Sequence, residues 1–131
     1  MHVFTYGSLM FDEVWSRLVA GSYTHVEATA HGYARFGVRD QIYPGAIHHS
    51  GASLEGVVYF DVDPADLARI DRFEGEDYRR VEVDLFCADG RRVLAAMYLF
   101  LPAERLDDTP WRPETFAADT FFNTYAAGFV R

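Results

Sequence analysis

Two short stretches hold the residues whose types and spacing can do chemistry. They are Tyr6-Gly7-Ser8-Leu9 and Asp71-Arg72-Phe73-Glu74-Gly75. The first follows an apolar run, His2-Val3-Phe4-Thr5, and precedes a helical pattern. It reads as a strand–turn–helix junction with glycine at the bend. Such a junction aims several backbone N–H groups at one point, and the following helix adds the positive end of its dipole. It suits a carboxylate or a developing oxyanion. A plain turn uses the same residues, so the stretch alone leaves that reading open.

The second stretch ends a helix that Asp63 caps and Pro64 opens. Leu67 and Ile70 mark its apolar face. Glu74 stands seven and four residues after them, so it projects from that same face. Asp66, Arg69 and Arg72 have solvated faces to use. Glu74 also lies at the negative end of the helix dipole. Burial and the dipole both disfavour its charged form and raise its pKa, as general acid–base work requires. Two structural readings compete with this one. The helix frays at 73 and exposes the carboxylate, or Glu74 pairs with Arg79 or Arg80.

Other candidates are weaker. Ser8 lacks the second glycine of a nucleophile elbow, and no histidine stands out as its base. The run Glu74-Gly75-Glu76-Asp77 lacks the alternating ligands of a calcium loop. His48 and His49 point to opposite faces of a strand, and His2, His25 and His31 have no ligand spacing, so no metal site is expected. All twelve basic residues are arginine, which excludes a lysine Schiff base and a phosphate-loop lysine. The net charge of −8 makes nucleic acid and anionic membranes poor partners. The single Cys87 reads as a core thiol. No apolar run approaches the ~20 residues of a membrane span, and the start lacks a charged leader, so a soluble cytoplasmic protein is expected.

The elements that must position these residues follow from the pattern. A short strand covers 2–6. A helix capped by Asp12 carries Val14, Trp15, Leu18 and Val19 on one face and stops at Gly21. Strands follow over 25–30 and 33–38, with bends or bulges at Gly32 and Gly37. Tyr43-Pro44-Gly45 reads as a turn or edge segment, and a strand runs from Leu54 to Phe60. After the helix 64–74, strands from Tyr78 to Phe86 and Arg92 to Leu101 form a hairpin over Ala88-Asp89-Gly90-Arg91. Residues 113–127 read as a helix, with Phe122, Tyr125 and Phe129 on one face. The 131 residues make one domain, 1–131. Mostly antiparallel strands with helices outside imply an α+β or barrel-like sheet, not a doubly wound fold.

Together these stretches resemble the γ-glutamylcyclotransferase-like family, in particular the branch of γ-glutamylamine cyclotransferases and plant AIG2-like proteins. Tyr6-Gly7-Ser8-Leu9, Tyr43-Pro44-Gly45, Gly56-Val57-Val58-Tyr59, Ile70-Asp71-Arg72-Phe73-Glu74-Gly75 and Tyr78-Arg79-Arg80-Val81 stand in the family's order, across roughly residues 2 to 101. The resemblance implies a small, mixed, mostly antiparallel β-barrel with flanking helices. It implies release of a γ-glutamyl group as 5-oxoproline from a small-molecule γ-glutamyl substrate. It puts substrate binding on the backbone amides of Tyr6, Gly7, Ser8 and Leu9, the acid/base role on Glu74, and requires no metal or cofactor. Tyr78 and Tyr98 are candidates to line the cavity. A binding or regulatory module without catalysis on the same fold is the rival reading. The leaving group and the oligomeric state are not fixed by the sequence.

Overall fold

A computed structural model of the chain describes residues 1–116. Its first strand, β1 (Val3–Thr5), is buried on both faces. Val3 packs beneath the helices, while Phe4 points among the side chains that fill the barrel. The other elements are α1 (Asp12–Leu18), β2 (His25–Val38), β3 (Pro44–Tyr59), α2 (Pro64–Glu74), β4 (Tyr78–Cys87), β5 (Arg92–Phe100) and β6 (Leu106–Pro110).

Five strands close a ring in the order β3, β1, β5, β4, β2 and back to β3. The β1–β5 contact is parallel, with Val3 opposite Ala96. The remaining pairings are antiparallel, among them Val3 with Tyr59, Tyr78 with Phe100, and Ala28 with Cys87. The α+β fold with a small mixed, mostly antiparallel barrel is therefore as the sequence implies. Closure leaves no free edge between these five strands. Inside lie Phe4, Tyr6, Leu54, Val58, Leu85, Met97 and the thiol of Cys87, whose pKa burial raises. A second core lies between barrel and helices, with Val14, Trp15, Leu18, Ile70 and Phe73 against Val3, Tyr59 and Tyr98. Alternation along β5 serves both cores, since Met97 faces inward and Tyr98 faces the helices.

Several expectations need correction. Phe11, not Asp12, occupies the position before α1, and no side chain caps it. The 3-10 turn Ser8–Met10 runs straight into this helix, so Phe11 supplies the first carbonyl, accepting from Val14 and Trp15. The helix ends at Leu18, before Gly21. Tyr43-Pro44-Gly45 leads directly into β3, which is continuous from Pro44 rather than starting at Leu54, because it pairs with β2 along its length. Proline as first residue of a strand removes no needed donor. Gly32 makes the expected bulge, at φ 86° and with a register shift between His31 and Tyr33. β6, unforeseen in the sequence, pairs with the far half of β2. Pro113–Thr115 is one 3-10 turn and Phe116 is extended, so the expected helix does not begin at 113. Its remainder, with the aromatic face at 122, 125 and 129, lies outside the described residues.

Asp66 is the largest surprise on α2. It is 1% exposed rather than solvated. Its carboxylate accepts from the Ala20 N–H (2.8 Å), the Gly21 N–H (2.9 Å), the Tyr23 hydroxyl (2.6 Å) and Arg69 (2.7 Å). Burial alone would raise its pKa, but these donors outweigh burial and hold it at about 2.

Candidate active site

The strand–turn–helix junction and the end of α2 meet at one cavity of about 30 Å³. Tyr6, Gly7, Ser8 and Leu9 line it together with Glu74. Tyr43, Pro44, Tyr78 and Tyr98 complete the wall. All five residues singled out in the sequence therefore converge, together with both candidate tyrosines.

β1 delivers the loop. The chain leaves the barrel at Thr5, whose hydroxyl donates to the Val57 carbonyl at 2.9 Å. It turns through Gly7 into the 3-10 turn. A Cβ on Gly7 would stand 2.8 Å from Pro44 Cγ, so only glycine lets β3 approach this closely. Met10 and Phe11 donate back to the carbonyls of Gly7 and Ser8. Among the described residues, no backbone acceptor takes the N–H of Gly7, Ser8 or Leu9. These are the donors left open at the start of a helical turn. The Tyr6 side chain anchors the loop from inside the barrel. Its hydroxyl donates to the Tyr98 carbonyl at 2.5 Å and accepts from the Ala46 N–H at 3.2 Å.

α2 delivers Glu74. The Asp63 side chain accepts from the Asp66 N–H at the helix start, and Gly75, at φ 78°, closes the end by donating to the Asp71 carbonyl. The helix thus runs through Glu74 and does not fray at 73. The ion pair with Arg79 or Arg80 is also absent among the described residues. Arg80 instead contacts Asp71 at 2.9 Å. Asp71 in turn accepts from the Tyr98 hydroxyl at 2.6 Å. Tyr78 lines the cavity, its hydroxyl donating to the Pro44 carbonyl at 2.8 Å.

Burial pushes the Glu74 carboxyl up to about 8, and the charge of Asp71 adds to the rise. Burial also raises the hydroxyls of Tyr6, Tyr43 and Tyr98, with Glu74's own charge contributing to each. Of these four groups, Glu74 alone titrates near neutral pH. A carboxyl with a pKa near 8 can take and return a proton, and it shares its cavity with a loop whose Gly7, Ser8 and Leu9 N–H groups have no backbone acceptor among the described residues.

Tyr43, Pro44, Asp71 and Arg35 were not marked as site residues in the sequence. Asp71 is three residues before Glu74, a spacing that shares a helix face, and offered a signal. Tyr43 and Pro44 carried part of the family resemblance. Arg35 offered none.

A closed mixed barrel with two packed helices sets the class of fold, and the half-buried Glu74 shares its cavity with the glycine loop. The family model described as gamma-glutamyl cyclotransferase, AIG2-like, matches residues 3–115, and the chain belongs to that family. AIG2-like protein D of Arabidopsis thaliana is 33% identical over 90 residues, which are 68% of this chain and 59% of that protein. A protein of Methanocaldococcus jannaschii, named as a gamma-glutamylcyclotransferase and putative RNase, is 29% identical over 75% of this chain and 45% of its own length. The chain thus spans about half to three-fifths of these curated relatives. A solution structure from Arabidopsis thaliana superposes with a TM-score of 0.74 at 26% identity, covering 97% of this chain and 80% of that one. A structure named gamma-glutamyl cyclotransferase has a TM-score of 0.64 at 19% identity, over 76% of this chain and 65% of that one, and shows the same fold.

Proposed function

We propose that this chain releases 5-oxoproline from a γ-glutamyl amine or γ-glutamyl peptide. The observation that carries this is that Glu74 lines one cavity with Gly7, Ser8 and Leu9, whose N–H groups meet no backbone acceptor among the described residues; burial raises the Glu74 carboxyl to about 8. The substrate's α-amine attacks its own γ-carbonyl carbon. A C–N bond closes the five-membered ring, and the C–N bond to the leaving amine breaks. Glu74 takes the proton that the attacking nitrogen loses and returns it to the leaving nitrogen. No net proton is consumed. The loop N–H groups hold the carbonyl oxygen as it gains charge. Attack within one molecule draws on proximity, so a site that folds the glutamyl chain supplies much of the rate.

The cavity is small for such a substrate. About 30 Å³ holds a water, for which some 10–15 Å³ is needed, but not a glutamyl group. On this reading the wall opens to admit substrate, and the Tyr78–Pro44 hydrogen bond is one of the contacts that hold it.

The test is direct incubation of the purified chain with γ-glutamyl-amino acids, γ-glutamyl-amines and glutathione, assayed for 5-oxoproline by mass spectrometry. Glu74→Gln should fold and lose roughly 10²–10⁴-fold in kcat. Absence of product across the panel from a folded native protein would move the reading to a binding module.

A further inference from the structure

Arg35 lies in β2 and reaches across to the back of the site loop. Its Nη1 donates to the Tyr6 carbonyl at 2.7 Å and to the Glu55 carbonyl at 3.0 Å. The Met10 sulfur is 3.9 Å from the same nitrogen. The Trp111 ring lies 5.3 Å from the guanidinium carbon, and Trp111 is fixed by its own Nε1–H to the Ile42 carbonyl at 2.9 Å. Burial pulls the guanidinium down from its ordinary value, while Glu55 and Glu114 act the other way. A half-buried cation usually meets a carboxylate. Among the described residues this one makes no ion pair, and its donors go to two main-chain carbonyls, one on the site loop just after β1 and one on β3.

The Tyr6 carbonyl belongs to the same peptide unit as the Gly7 N–H. A charged donor on that oxygen draws electron density through the unit and leaves the N–H more positive. The second bond, to Glu55, ties the same peptide to β3. We propose that Arg35 is a positioning residue, which clamps and polarises the Tyr6–Gly7 peptide so that the Gly7 N–H is a stronger donor to the substrate's oxyanion. This rests on the cyclotransferase reading for its consequence, but the clamp itself is a property of the substrate-free protein. Lysine carries the charge without the flat guanidinium that stacks on Trp111, so it replaces only part of the device.

Arg35→Met and Arg35→Lys are compared with the native chain by two readouts. In NMR spectra without substrate, the Gly7 amide nitrogen and the Tyr6 carbonyl carbon report the polarisation of their shared peptide. With a γ-glutamyl substrate, steady-state kinetics separates kcat from KM. The methionine variant should move both resonances and lose about ten-fold in kcat/KM, mostly in kcat, less than the roughly 10²–10³ seen when an oxyanion donor itself is removed. The lysine variant should recover part of both. Native resonance positions in a folded methionine variant overturn the proposal, as does an equal kinetic loss in the two variants. Where the methionine variant does not fold, resonances of the lysine variant decide in the same way. A native protein that turns over no substrate defeats the proposed activity, while the resonances still decide the clamp.

Discussion

Glu74 has a consequence for stability that is separate from any reaction. In an unfolded chain its carboxyl titrates near its ordinary value of 4.5, and in the fold near 8. Between those values the folded protein holds a proton that the unfolded chain has released. Stability therefore falls as pH rises through that window, by up to about 1.4 kcal/mol per pH unit, and levels off on either side. Glu74→Gln removes this slope. Urea unfolding at pH 5 and at pH 8 should show the variant gaining on the native protein at the higher pH. An unchanged difference between the two pH values would mean a solvated carboxyl. The residue was legible in the sequence because one rule sufficed: four residues beyond Ile70, it had to share the buried face. Arg35 was not legible, because its partners are backbone carbonyls, and backbone carbonyls leave no trace in residue types.

At the scale of elements, α2 is anchored by a group that the same rule should have found. Asp66 stands four residues before Ile70 and seven before Phe73, which puts it on the buried face. Reading it as solvated followed from its charge alone. Four donors make the burial tolerable, and three of them, from Ala20, Gly21 and Tyr23, join α2 to the segment after α1. The sign here is opposite to that of Glu74. The folded pKa of about 2 lies below the ordinary 3.8, so the contribution is complete above pH 4 and is lost as pH falls through 2. The shift corresponds to about 2 kcal/mol. Asp66→Asn presents an amide N–H₂ to groups that are themselves donors, so it should cost at least that amount at pH 7. Denaturation curves should show the gap narrowing near pH 2, and a gap independent of pH would refute the account. The ends of α2 were readable from Asp63, Pro64 and Gly75, whose types are selected by local geometry. The first half of β3 and all of β6 were not. Pro44 to Ser53 and Leu106 to Pro110 have little strand character of their own, and pairing with β2 is what extends them.

Closure of the barrel and construction of the site are one event in the whole molecule, and Gly56 is where they coincide. It sits in β3 opposite Ala28 of β2. A Cβ at this position would lie 2.1 Å from the Thr5 carbonyl oxygen and 2.9 Å from the Phe4 ring. The first of these is backbone and cannot rotate away. β1 could accept such a group only by moving off β3, breaking the register that pairs Thr5 with Val57 and closes the ring. Thr5 is also the last strand residue before Tyr6 and Gly7, so the same displacement shifts the open amides relative to Glu74. Overpacking of a filled core typically costs about 1–3 kcal/mol, and a main-chain clash at a barrel seam belongs at or above the top of that range. Gly56→Ala should therefore lower the urea midpoint strongly, with an unfolding slope close to native if the transition stays cooperative. On the proposed function, whatever fraction folds should also release 5-oxoproline more slowly than its stability loss explains, because the loop has moved. A Gly56→Ala protein with native stability and native turnover would show that β1 and β3 have slack between them, and that the site does not depend on the seam.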